Sequence, residues 1–127
     1  MATDSAVKRA RASLEQLRAA DAWECCEACT DAYVSLAKGL PALIMTSGLM
    51  QVFAFLHQKG GEHEVLALQL RRWLRGRFAG LLSSESFHKF MTELMQLPAR
   101  EYQAVNAEAF AWLRWLRQMA AARKQGA

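Results

Sequence analysis

Apolar residues recur at three- and four-residue spacing along most of this chain, and the breaks in that recurrence predict five helices. The first runs from about Ser5 to Lys38, with Thr3 or Asp4 as its cap and Gly39 beyond its end. Its stripe is Val7, Ala10, Leu14, Leu17, Cys25, Ala28, Ala32 and Leu36, interrupted by Asp21. At 1.5 Å per residue such a helix would be roughly 50 Å long, so it is expected to protrude or to bend near Asp21. The second helix, about Gly48 to Gln58, carries Leu49, Val52, Phe53 and Leu56 on one face, and Gly60-Gly61 ends it. The third, about Glu62 to Gly80, has Leu66, Leu70, Trp73 and Leu74 as its core face. Ser83 and Ser84 cap a fourth with Phe87, Phe90, Met91 and Leu94. After Pro98 a fifth, about Ala99 to Arg123, presents Tyr102, Val105, Ala109, Trp112, Leu113, Leu116 and Met119.

One segment breaks the pattern differently. Gly39 to Gln58 contains no Lys, Arg, Asp or Glu over 20 residues, a membrane-spanning length. It also holds Gly39, Pro41, Thr46, Ser47 and Gly48, so a buried loop leading into a core helix is the expectation, not a span. Composition agrees with an all-helical chain. Alanine and leucine supply 40 of the 127 residues, whereas valine, isoleucine and threonine supply 10. The expected architecture is all-α: one domain over residues 1–127, a compact bundle of about five helices with a long N-terminal helix and short flexible ends at 1–4 and 124–127.

Charge adds a partner class. The net +4 lies wholly in residues 61–127, since residues 1–60 carry six basic and six acidic side chains. That concentration favours a polyanion as partner. Arg71, Arg72, Arg75 and Arg77 fall within seven positions; Arg71, Arg72 and Arg75 are expected on the face opposite the leucines, with Arg77 nearer the apolar side. Arginine suits phosphate through its planar fork of donors, and a solvated helix face is the plainer reading. On the last helix Phe110, Arg114, Arg117, Ala121 and Lys124 form a second stripe, where an exposed phenylalanine beside arginines fits a base or a neighbouring subunit. Along the first helix Lys8, Arg9, Arg11 and Arg18 precede Asp21, Glu24, Glu27 and Asp31, the reverse of what the macrodipole favours. Opposed charged ends of this kind suit head-to-tail contact between copies.

Catalytic chemistry finds little footing. His-Glu-x-x-His, Gly-x-Ser-x-Gly and the phosphate-binding loop are all missing from the sequence. Glu62-His63-Glu64 reads as an acid/base pair or, more simply, as the polar first turn of a helix. Cys25, Cys26 and Cys29 read as small packing residues or as a metal or thiol site; the scattered His57, His63 and His88 do not complete a zinc set. No metal and no cofactor is therefore expected, and the start of the chain, without a targeting pattern, leads to a cytoplasmic expectation.

Two blocks carry a family resemblance. Tyr33-x-Ser35, Leu40-Pro41-Ala42-Leu43-Ile44 and Gly48-Leu49-x-Gln51-x-Phe53-Ala54-Phe55-Leu56-x-x-Lys59 form the first. Glu101-Tyr102 and Glu108-Ala109-Phe110-Ala111-Trp112-Leu113-x-Trp115-Leu116-Arg117-x-Met119-Ala120 form the second. Together they resemble the small helical subunit of the type III-B CRISPR RNA-guided effector, the Cmr complex. Met45-Thr46-Ser47 departs from the asparagine that the family often places before this glycine. The resemblance implies a non-catalytic architectural subunit of antiviral defence. Its partners would be other effector subunits, further copies head to tail, target RNA and guide RNA. Lys59, Arg117 and the neighbouring Lys38 would be phosphate contacts. With the charge pattern, the RNA-binding candidates are Lys38, Lys59, Arg71, Arg72, Arg75, Arg114 and Arg117. The subunit-interface candidates are Arg11, Arg18, Asp21, Glu24, Glu27 and Phe110. The rival reading is a helical protein–protein adaptor that docks through the Phe110 stripe without touching RNA.

Overall fold

The computed structural model describes residues 13–126, with side chains through Lys124. Among these residues there are six helices and no strand: α1 (Leu14–Cys25), α2 (Asp31–Ser47), α3 (Leu49–Lys59), α4 (Gly61–Arg77), α5 (Phe87–Gln96) and α6 (Ala99–Gly126). The all-α bundle expected from the sequence is what the chain forms. The cap at Thr3 or Asp4, the stripe positions Val7 and Ala10, and Lys8, Arg9 and Arg11 lie outside the described residues.

The single long first helix is corrected to two. Ser13 opens α1 with a capping box: its hydroxyl accepts from the Gln16 N–H at 3.1 Å, and the Gln16 side chain accepts from the Ser13 N–H at 2.8 Å. The helix stops at Cys25. Thr30 then starts α2, its hydroxyl accepting from the Tyr33 N–H at 3.1 Å, with Asp31 in the favourable first turn. The break resets the helical phase. Ala28 and Ala32, expected in the stripe, are exposed, while Ala22, Cys26, Tyr33, Ala37, Leu40 and Ile44 are buried.

Gly39 and Pro41 do not end a helix either. α2 runs through both to Ser47, so the expected buried loop is helical. Pro41 leaves the Ala37 carbonyl without its usual intrahelical donor. Burial of Leu40, Pro41 and Ile44 against the core offsets that loss, since each large apolar side chain removed from water contributes about 1.5–3 kcal/mol. The real stop is Gly48, at φ 82°, whose N–H donates to the Ile44 carbonyl at 2.9 Å. No helix of the described residues is long and apolar enough to cross a membrane.

Helix α6 is the axis of the bundle. Arg18 meets Glu108 and Asp21 meets Trp112, so α1 lies beside α6 in the same direction. Leu49 meets Asn106 and Asp31 meets Lys124, so α2 lies along it in the opposite direction. α3 and α4 form a hairpin about Gly60 and Gly61, at φ 67° and 53°, where a side chain would be strained. α5 starts at Phe87 after Ser86, later than the expected Ser83 or Ser84 cap; Ser83 instead bonds Glu93 through its N–H and hydroxyl at 3.0 and 2.7 Å. Phe90 of α5 packs edge-on against Phe53 of α3, with ring centroids 5.2 Å apart. Trp112, Phe53, Phe90 and a set of leucines fill the centre.

Candidate nucleic-acid interface

A buried carboxylate organises the polar side of α6. Glu108 shares a helical face with Val105, Ala109 and Trp112, and it is only 4% exposed. Arg18 of α1 donates to both its oxygens, at 2.7 and 2.8 Å. From α4, the Trp73 indole N–H donates at 3.0 Å and Arg77 at 3.4 Å. Burial pushes the Glu108 carboxyl up, but the bonds from Arg18 and Trp73 and the charges of Arg18 and Arg77 outweigh it, holding it below its ordinary value. The same carboxylate raises the Arg18 guanidinium. Three helices are thus tied at one anion. Glu108 was not among the candidates; an acid at the apolar phase of a helix was the signal that could have found it. Asp21, seen in the sequence as an interruption, serves similarly: it accepts from the Trp112 indole N–H at 2.8 Å, and burial raises its carboxyl above the ordinary value despite that bond.

The arginine run divides. Arg71 is 2% exposed, which corrects its placement on a solvated face with Arg72 and Arg75. Its Nε donates to the Glu85 carbonyl at 2.7 Å, its Nη2 to Glu64 at 2.9 Å, and its guanidinium lies 6.0 and 5.8 Å from the rings of Phe53 and Phe87. Arg71 therefore has no free donor face for phosphate. Arg72 and Arg75 are exposed, and both lean on Glu85, at 3.6 and 3.0 Å. Arg77 sits on the apolar side, as its phase suggests, joined to Glu108.

The outer face of α6 differs. Arg114 and Arg117 are exposed to one side of the buried Leu113 and Leu116, and neither has a carboxylate within ion-pair distance among the described residues. Phe110, expected to be exposed, is half-buried against the core, with the Arg114 guanidinium 5.9 Å from its ring centroid. Lys38 and Lys59 are exposed on α2 and α3; Lys59 lies 5.7 Å from the Phe55 ring. Of the proposed interface residues, Arg18 and Asp21 are occupied within the chain, whereas Glu24 and Glu27 are exposed. Arg11 lies outside the described residues.

Comparison with known proteins places this arrangement. The family of CRISPR-associated proteins Cas_Cmr5 matches residues 14–123. The chain belongs to the Cmr5 family. That is the family of the type III-B effector's small subunit, which the two sequence blocks resemble. A crystal structure of a CRISPR-associated Cmr5 family protein from Thermus thermophilus superposes with a TM-score of 0.72 at 22% identity, covering 87% of this chain and 97% of that one. No curated protein is similar enough to count as a relative. In this Cmr5-family chain the resembling blocks are largely core: Tyr33, Leu40, Ile44, Leu49, Phe53, Leu56 and Trp112 are buried.

The remaining chemical candidates of the Cmr5-family chain resolve structurally. Cys25 ends α1, Cys26 caps it, and Cys29 lies in the turn before α2. Burial pushes all three thiols up, Cys25 to about 12, which disfavours the thiolate that nucleophilic or ligand chemistry needs. Two cations close this turn from the end of α6: Arg123 donates to the Trp23 carbonyl at 2.7 Å and Lys124 to the Cys29 carbonyl at 3.3 Å. Glu62 and Glu64 occupy the first turn of α4, where carboxylates complement the dipole. Glu64 also bonds Arg71 and approaches His57 Nδ1 at 3.2 Å, which ties it to α3 as well as to its own helix. Among the described residues no three His, Cys, Asp or Glu side chains converge as metal ligands do.

Proposed function

We propose that this Cmr5-family chain is a non-catalytic architectural subunit that lies along the guide–target duplex of its effector, in the cytoplasm, and holds target RNA through phosphate contacts. The observation that carries this reading is the outer face of α6, where Arg114 and Arg117 stand exposed with no carboxylate within ion-pair distance among the described residues. Cations in that state release counterions when they meet phosphate, which gives affinity without sequence preference. Lys38 and Lys59 extend the same role to α2 and α3. Arg72 and Arg75, sharing Glu85, contribute one net charge between them. The exposed Glu24 and Glu27 at the far end of α1 supply the acidic partner for a neighbouring copy stacked head to tail.

The test is binding of single-stranded RNA as a function of salt. The wild-type chain is expected to bind weakly, with affinity falling as salt rises. The double variant Arg114→Ala/Arg117→Ala should lower the slope of log affinity against log salt by about 1.4, since each phosphate contact to a single strand contributes about 0.7. An unchanged slope and affinity would sink the reading. Sedimentation at low salt tests stacking: a chain that stays monomeric at high concentration, and single-copy in its assembled complex, removes the head-to-tail part.

A further inference from the structure

A groove of ≈ 460 Å³ runs between α1 and α6 and is lined by Glu15, Arg18, Arg114, Trp115, Arg117 and Gln118. Its volume falls in the range of small-ligand sites. Three features distinguish it from a merely basic surface. Arg18 on its wall is held rigid by two bonds to buried Glu108, and its Nη1 makes no hydrogen bond among the described residues. Trp115 is half-buried, and its indole N–H differs from those of Trp73 and Trp112: those two donate to Glu108 and Asp21, whereas the Trp115 N–H has no acceptor among the described residues and is not a buried orphan. Glu15 and Gln118 then place hydrogen-bond acceptors beside the cations.

We propose that this groove takes one unpaired nucleotide of single-stranded RNA, its base against the Trp115 indole and its phosphate between Arg114 and Arg117. This rests on the RNA reading above and adds a base-stacking site to it. An aromatic wall suits any base, because every base has a π-face. Arg114 and Arg117 supply charge for the phosphate, and pre-set Arg18 supplies a donor that needs no reordering. The carboxylate of Glu15 accepts from a base amino or imino edge, donors that the carboxylate side chains of an acidic peptide lack, so the donor–acceptor pattern favours a nucleotide here.

The experiment compares a uridine oligonucleotide with an abasic oligonucleotide of equal length, using fluorescence anisotropy at fixed salt. The wild-type chain should bind the base-bearing strand about tenfold more tightly, the scale of stacking on one aromatic. Trp115→Leu should abolish that difference without weakening the abasic strand, and Trp115→Phe should keep part of it; thermal unfolding checks that each variant is folded. Photo-crosslinking of a 5-iodouridine strand should place an adduct on Trp115. Equal binding of the two strands by the wild type, together with a normal salt slope, overturns stacking while leaving the phosphate reading intact. Failure of the wild type to bind either strand overturns both. Displacement of the strand by a glutamate-rich peptide of higher affinity overturns the proposal in favour of a protein neighbour.

Discussion

Replacing Glu108 with glutamine removes one charge from a site where four donor contacts converge. Three of them are short: 2.7 and 2.8 Å from Arg18 and 3.0 Å from Trp73. Glutamine keeps one acceptor oxygen and turns an amide N–H₂ toward donors, so at least two of those contacts are lost. Bonds to charged groups contribute about 1.5–3 kcal/mol each, and breaking a buried pair costs about 3–5 kcal/mol. Arg18 and Arg77 both retain some access to water, which places the expected loss at the lower end, about 3 kcal/mol. That corresponds to a fall in Tm of roughly 10 °C for a chain of this size. Urea unfolding followed by tryptophan fluorescence measures it. The pH dependence gives a second readout. Because the folded carboxyl lies below its unfolded value, its contribution is present above about pH 4.5 and is lost as pH falls through the lowered value. The wild type should therefore lose stability more steeply in acid than Glu108→Gln does. A loss under about 1 kcal/mol, with identical acid limbs, would refute the view that Glu108 ties the three helices together.

Three further substitutions probe separate features. Arg71→Ala should cost about 3 kcal/mol in urea unfolding, whereas Arg75→Ala on the exposed side should cost under about 0.5 kcal/mol; equal effects would contradict the burial of Arg71. Asn106→Ala removes the acceptor that caps α3 from α6 at the Leu49 N–H, and should destabilise by about 1 kcal/mol in the same unfolding assay. Gly76→Ala should stabilise by about 0.5–1 kcal/mol, because the site is helical and a Cβ there meets nothing within 4 Å; a loss of stability would show that the open space has another occupant.

Periodicity alone locates α3, α4 and α6 to within a few residues, because each has a continuous apolar face and a glycine or proline boundary that the fold respects. The same signals mislead between Asp21 and Gly48. Thr30, a good N-cap, lies inside a stripe that resumes after Asp21 and runs past it, and Gly39 and Pro41 look like stops only while the burial of Pro41 and its neighbours is unknown. Tertiary packing of Leu40, Pro41 and Ile44 decides that stretch, and no local rule contains it. The site divides the same way. Arg114 and Arg117 are legible because exposure on α6 follows from helical phase. Arg71 is not, since its partners are a carboxylate two helical turns earlier and a carbonyl in the loop before α5. Phe110 belongs to the same class, a residue at the margin of a face whose exposure depends on the neighbour.

The position of α6 has a consequence for synthesis. The long-range polar ties from Arg18, Asp21, Leu49 and Trp73 all end on residues between Asn106 and Trp112, and the turn before α2 is closed by Arg123 and Lys124. A ribosome makes this helix after the other five. Until it emerges, α1 and α2 have no axis to pack against and Trp73 has no anion to meet. The bundle therefore closes only after α6 has been made, and a fragment that stops short of it leaves the apolar faces of α1 and α2 exposed and prone to aggregate.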